Sequence, residues 1–131
     1  MLIRSFIPFF LLINTFCSAQ TKAEDCSRFK TGTFQYRDDS SGVIQIKRTA
    51  TRQVETELST NTVTKFRIKW TGDCEYEIKK IWTNRKSKPK NYGGVTKIVI
   101  TKAYEKQYDY SCECKFLETG KSFSGTVVKI E

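Results

Sequence analysis

The chain has 131 residues, with 23 Lys plus Arg against 14 Asp plus Glu, a formal net charge of +9, and no histidine. That length holds one compact domain and excludes multidomain machinery. The missing imidazole excludes Ser-His-Asp and Cys-His catalysis, His-ligated zinc and a histidine proton switch.

Arg4 precedes an apolar stretch, Phe6 to Ile13, followed by the small residues Cys17, Ser18 and Ala19. This is the architecture of a secretory signal peptide over residues 1–19, cut after Ala19. The stretch is too short for a bilayer span and is broken by Pro8, so no transmembrane segment is expected. Bulky Phe16 stands where a lipid-attaching enzyme needs a small residue, which disfavours acylation of Cys17. Export to a periplasmic or extracellular compartment means an oxidising environment. Cys26, Cys74, Cys112 and Cys114 would remain, and four cysteines allow three pairings.

From Thr31 onward the dominant pattern is period-two alternation of β-branched and aromatic residues with polar ones. Phe34 and Tyr36 share a face of the first strand, and Asp38 to Gly42 reads as a turn. In the second strand, Val43 to Thr49, Ile44, Ile46 and Arg48 lie on one side. The third, Gln53 to Leu58, has Val54, Thr56 and Leu58 as its apolar face, leaving Gln53, Glu55 and Glu57 to water. Thr64, Phe66, Ile68 and Trp70 alternate with Lys65, Arg67 and Lys69 in the fourth. Cys74 to Trp82 carries Cys74, Tyr76 and Ile78 on one face. Val95 to Lys102, Lys106 to Phe116 and Phe123 to Ile130 follow, with Tyr108, Tyr110, Cys112, Cys114 and Phe116 on one side of the long penultimate strand. About eight strands joined by short turns predict an all-β, antiparallel up-and-down meander over a single domain, residues 20–131, curled into a small barrel or half-barrel of calycin-like type.

The strings CSRFKTGTFQY (from Cys26), RTATRQVETE (from Arg48), WTGDCEY (from Trp70) and GTVVKI (from Gly125) together resemble a family of short exported bacterial proteins without an established activity. Some members carry a DNA topoisomerase IV label, which a chain this short cannot justify. The resemblance covers most of the chain beyond the signal segment and implies a Cys26–Cys74 disulfide. It implies no catalytic residue, and it does not extend to Cys112 and Cys114.

Arg48 shares its face with two isoleucines, and a buried charge needs a partner. It either reaches water at a rim or anchors an interior carboxylate or tyrosine. Tyr76, Tyr108 and Tyr110 share the inward side, so Arg48 and these three tyrosines are the candidate liners of a site for a small amphipathic ligand. The segment from Lys79 to Lys90 holds Lys79, Lys80, Arg85, Lys86, Lys88 and Lys90, with Trp82 inside it and Tyr92 beyond, and is a candidate surface for an anionic envelope polymer. In an exported chain nucleic acid is the disfavoured polyanion. Cys112 and Cys114 face one way on a strand, which suits buried cysteines or a disulfide better than a thiolate metal site. The pairs Glu55/Glu57 and Glu75/Glu77 are read as outward partners of cross-strand lysines and arginines. No catalytic carboxylate, metal or cofactor is expected, and the function predicted is non-enzymatic binding, with a structural envelope protein without a ligand as a further alternative to the polymer-binding surface.

Overall fold

The computed structural model describes residues 24–86, 94–113 and 122–131. The expected signal segment, Cys17, Lys88, Lys90, Tyr92, Cys114 and Phe116 lie outside them. Eight strands follow a short 3-10 helix, Ser27–Phe29: β1 (Gly32–Asp38), β2 (Gly42–Arg48), β3 (Arg52–Glu57), β4 (Thr62–Gly72), β5 (Glu75–Thr83), β6 (Val95–Ala103), β7 (Gln107–Glu113) and β8 (Ser122–Lys129). Each pairs with its successor, and β8 returns to pair antiparallel with β1 through Phe34–Lys129 and Gln35–Val128, closing the barrel. Closure removes the exposed edges that an open meander would leave.

The seam depends on one glycine. Gly32 has φ +130°, and a Cβ there would stand 2.5 Å from the Glu131 carbonyl oxygen. Without a side chain in the way, Thr33 N donates to Glu131 O at 2.9 Å and Ile130 N to Thr33 O at 2.8 Å. Alternation then sorts the residues as expected on most strands. Phe34, Ile46, Ile68, Tyr76, Ile98, Tyr108 and Val127 are buried in the core, while Lys65, Arg67 and Lys69 face solvent.

β3 is the exception. Its apolar parity, Val54 and Thr56, points outward, and Gln53, Glu55 and Glu57 face the barrel interior. The cause is the register of the preceding hairpin. Thr49 N donates to Arg52 O at 2.9 Å and Arg52 N to Thr49 Oγ1 at 3.2 Å, a tight turn that sets Arg48 opposite Gln53. Directly opposed residues share a face of the sheet. With Arg48, Ile46 and Ile44 turned inward, their partners Gln53, Glu55 and Glu57 must turn inward too. The outward placement of Glu55 and Glu57 inferred from the sequence is thereby corrected. Glu75 does lie outward, in an ion pair with Lys97 at 3.4 Å.

One end of the barrel is closed. Phe29 and Cys26 are fully buried there, and the 3-10 helix is tied down by the Cys26–Cys74 disulfide to the β4–β5 turn. Closing a loop across a sequence separation of 48 contributes about 4 kcal/mol in the chain-entropy description. Arg28 donates to the Tyr104 carbonyl and Lys129 Nζ to the Arg28 carbonyl, adding two polar ties to the same helix. No helix among the described residues is long and apolar enough to cross a membrane.

Candidate functional site

Above the closed end sits a buried guanidinium. Arg48, 3% exposed, donates from Nε to Gln53 Oε1 at 2.8 Å, from Nη1 to the Phe29 carbonyl at 2.8 Å, and from Nη2 to the hydroxyls of Tyr76 and Tyr108 at 3.2 and 3.1 Å. Its Cζ also lies 4.7 Å from the Phe34 ring centroid and 4.8 Å from that of Tyr76, so aromatic faces replace part of the lost hydration. Of the two possibilities left open for Arg48, the interior anchor holds. Its partners are structural tyrosines, an amide and a backbone carbonyl.

Gln53 relays this charge sideways. Arginine only donates and a carboxylate only accepts, so the orientation of the buried Gln53 amide is chemically determined. Oε1 faces Arg48, and Nε2 donates to Glu55 Oε1 at 2.9 Å. Glu55 Oε2 has a longer contact, 3.5 Å, with the Tyr36 hydroxyl, which leaves it with acceptor capacity. Burial raises the Glu55 pKa, against the Gln53 hydrogen bond and the Arg48 charge, which act to lower it. Burial likewise pushes the hydroxyls of Tyr36, Tyr76 and Tyr110 above the ordinary tyrosine value, keeping all three protonated.

Between this polar layer and the opposite end lies a cavity of about 320 Å³. Ile46, Phe66, Ile78, Ile98 and Val127 are its apolar lining, Gln53, Tyr76 and Tyr108 lie toward its floor, and Tyr36, Glu55 and Tyr110 are polar groups interleaved with the apolar ones around the barrel. Its residues reach Asp38, Thr96 and Phe123 at the far end, where Phe123 is 47% exposed. A smaller space of about 120 Å³ shares Tyr36, Asp38 and Glu55 and adds Glu57 and Arg85. The volume stands at the lower end of the range for small-molecule sites, about 300 to 1,000 Å³, and the mix of apolar wall with few polar groups is typical of them. Tyr110 fits because β8 has a glycine opposite it. A Cβ on Gly125 would come within 3.0 Å of the Tyr110 hydroxyl oxygen.

Three of the four residues predicted to line a cavity, Tyr76, Tyr108 and Tyr110, do so. Arg48 lies beneath the floor instead, its donors directed at protein atoms. Glu55 is a cavity residue that the period-two rhythm of β3 hides; the sequence signal that points to it is the short β2–β3 turn, which fixes the register. Cys112 is buried at 6% exposure, lines the cavity and is disulfide-bonded.

The basic segment separates. Lys79 and Lys86 are exposed, but Lys80 sits opposite Phe66 on the inward parity, and its charge acts on Glu55. Lys80 follows Ile78 by two residues and keeps its parity; the bulge comes after it, since Lys65 pairs with Trp82 and Phe66 with Lys80, so Ile81 is the extra residue and Trp82 is turned outward. Arg85 is engaged by Glu57 at 3.3 Å, and the Trp82 ring lies on the outer wall under Lys65 Nζ at 4.9 Å. Among the described residues no three His, Cys, Asp or Glu side chains converge as a metal site. Comparison with protein-family models, with curated proteins and with solved structures finds no match for this chain.

Proposed function

We propose that this chain is an exported, non-enzymatic binding module whose barrel holds one small amphipathic molecule. The observation that carries the reading is the cavity of about 320 Å³ between the Arg48 layer and the far end of the barrel, lined mostly by apolar side chains with a few polar groups among them. An eight-stranded up-and-down barrel resembles the calycin architecture, whose interior is wide enough for one such ligand. Export agrees with the Cys26–Cys74 bridge, which an oxidising compartment permits. The reading of the basic segment as a polyanion surface is weakened by the inward Lys80 and the paired Arg85.

The test is a fluorescence titration with the neutral probe N-phenyl-1-naphthylamine, at low and high salt, on the parent protein and on Thr96→Trp. Thr96 lies at the far end of the cavity, so a tryptophan there fills the space without touching the Arg48 layer. Saturable binding that survives salt and is lost in Thr96→Trp supports the interior site. Binding that collapses with salt, or that Thr96→Trp leaves intact, places the activity on the outer surface.

A further inference from the structure

The chain carries a net charge of +9, yet among the described residues the cavity and the smaller space that shares Tyr36, Asp38 and Glu55 with it are lined by three carboxylates, Asp38, Glu55 and Glu57, and by one cationic side chain, Arg85. Arg85 is already held by Glu57 at 3.3 Å. Arg48 is screened from the space by Gln53, Tyr76 and Tyr108, which take its donors. Among the described residues the lining of these spaces is therefore richer in carboxylates than in cations, with Lys80 on the inward parity as the further charge that acts on Glu55.

A second observation concerns protons rather than charge. Arg48 Nη2 donates to both tyrosine hydroxyls, which stand 3.1 Å apart, so one hydroxyl can donate to the other. Two hydroxyls own two protons, and Arg48 cannot accept either. One buried O–H at the cavity floor is thus left without an acceptor among these partners, although Tyr76 and Tyr108 are 2% and 0% exposed. A buried donor in that position is satisfied by a neutral oxygen on whatever fills the cavity. A carboxylate ligand could accept the same proton, but it would share the cavity with Glu55, with no uncommitted cation among the described lining residues.

We infer that the barrel selects small apolar amines, with the Glu55 carboxylate receiving the ammonium head, the Ile46, Ile78 and Ile98 wall covering the apolar body, and the Tyr76–Tyr108 pair offering one hydrogen bond to a neutral oxygen. Rings of Tyr36 and Tyr110 beside Glu55 add faces that favour a cation. Lys80 supplies the resident positive charge felt by Glu55, and an arriving amine competes with it. This inference rests on the reading of the barrel as a ligand holder.

Calorimetric titration with three ligands of one chain length, n-octylamine, 1-octanol and octanoate, tests it at neutral pH. The amine is expected to bind roughly ten-fold or more tighter than octanoate, the worth of one hydrogen bond to a charged group, with the alcohol between them. Glu55→Gln keeps an acceptor for Gln53 and should erase the amine's advantage while 1-octanol binding persists, which also verifies the fold. Lys80→Met should strengthen amine binding. Octanoate binding tightest, or an amine preference indifferent to Glu55→Gln, overturns the inference and leaves the ligand-holding barrel standing. Failure of all three ligands to bind overturns the barrel reading itself.

Discussion

At the end sealed by the 3-10 helix, Arg48 directs four hydrogen bonds into protein atoms and the Cys26–Cys74 bridge locks the helix over them. Toward the other end, Glu55 keeps an oxygen with only a 3.5 Å contact, and the Tyr110 hydroxyl has no partner among the described residues. The first region spends its polar groups on itself; the second leaves capacity facing space. Buried polar groups that satisfy one another hold a fold together, whereas those with capacity left beside a cavity are available to a ligand. The sealed end has two exceptions: the one O–H of the Tyr76–Tyr108 pair that faces the cavity, and, among the described residues, Trp70 Nε1, a buried nitrogen with no acceptor whose ring is tilted against Tyr76 with centroids 4.7 Å apart.

If the contrast is right, substitutions at the two ends divide into losses of stability and losses of binding. Arg48→Met should show the largest effect, a loss of about 3 to 5 kcal/mol by urea denaturation, because the buried acceptors Gln53 Oε1 and Phe29 O are both left unsatisfied, at about 1 to 3 kcal/mol each. A loss below about 1 kcal/mol would mean that Arg48 is not the strut described. Next come the tyrosines. Tyr108→Phe removes a hydroxyl bonded to both Arg48 and Tyr76 and should cost about 1 to 3 kcal/mol, while Tyr110→Phe should stay within about 0.5 kcal/mol. Equal costs at the two positions would erase the distinction between the regions.

A third prediction concerns pH. Burial raises the Glu55 pKa, so the native state holds that proton to higher pH than the unfolded chain does. The contribution of this carboxyl therefore declines as pH climbs from the ordinary glutamate range to the raised value. Asp38 works the other way. The Ser40 hydroxyl and then the Ser40 amide lower its pKa, so its contribution is present above the ordinary aspartate range and fades as pH falls through the lowered value. Arg48, Lys80 and Tyr36 also act on Glu55, and all are retained in a single Glu55→Gln variant. That variant should lose the decline and be at least as stable as the parent at neutral pH, as read by melting temperature across pH. A Glu55→Gln protein less stable than the parent at neutral pH would assign the carboxylate to the structural end of the comparison.

The smallest effect is expected at Gly125→Ala. Its methyl would press on the Tyr110 ring, displacing it by a few tenths of an ångström, so ligand affinity should change by a small factor while the fold persists.

Much of the barrel is legible in the chain itself. Phe66, Ile68 and Trp70 alternating with Lys65, Arg67 and Lys69 declare a strand with one wet face, and Arg48 in step with Ile44 and Ile46 already marks a buried charge. The Glu55 side of the cavity is not visible by the same rule, because β3 carries its apolar residues on the outside. There the hairpin register and the need to pair Arg48 with Gln53 outweigh the small gain from burying Val54 and Thr56. Lys80 is turned inward by the same two-residue rhythm that buries Tyr76 and Ile78, so its place is legible, whereas the bulge at Ile81, which leaves no trace in that rhythm, is what turns Trp82 outward. Polar residues that break the pattern from within are the ones from which the candidate site is built.

The most direct measurement is an NMR titration of the isotope-labelled protein with 1-octanol, following backbone amides. Shifts confined to cavity residues such as Ile98, Tyr110 and Val127, saturating with one equivalent, are the predicted result. Shifts gathered on the outer wall around Lys79, Trp82 and Lys86, with the interior silent, would contradict the claim that the barrel's inside is where this protein works.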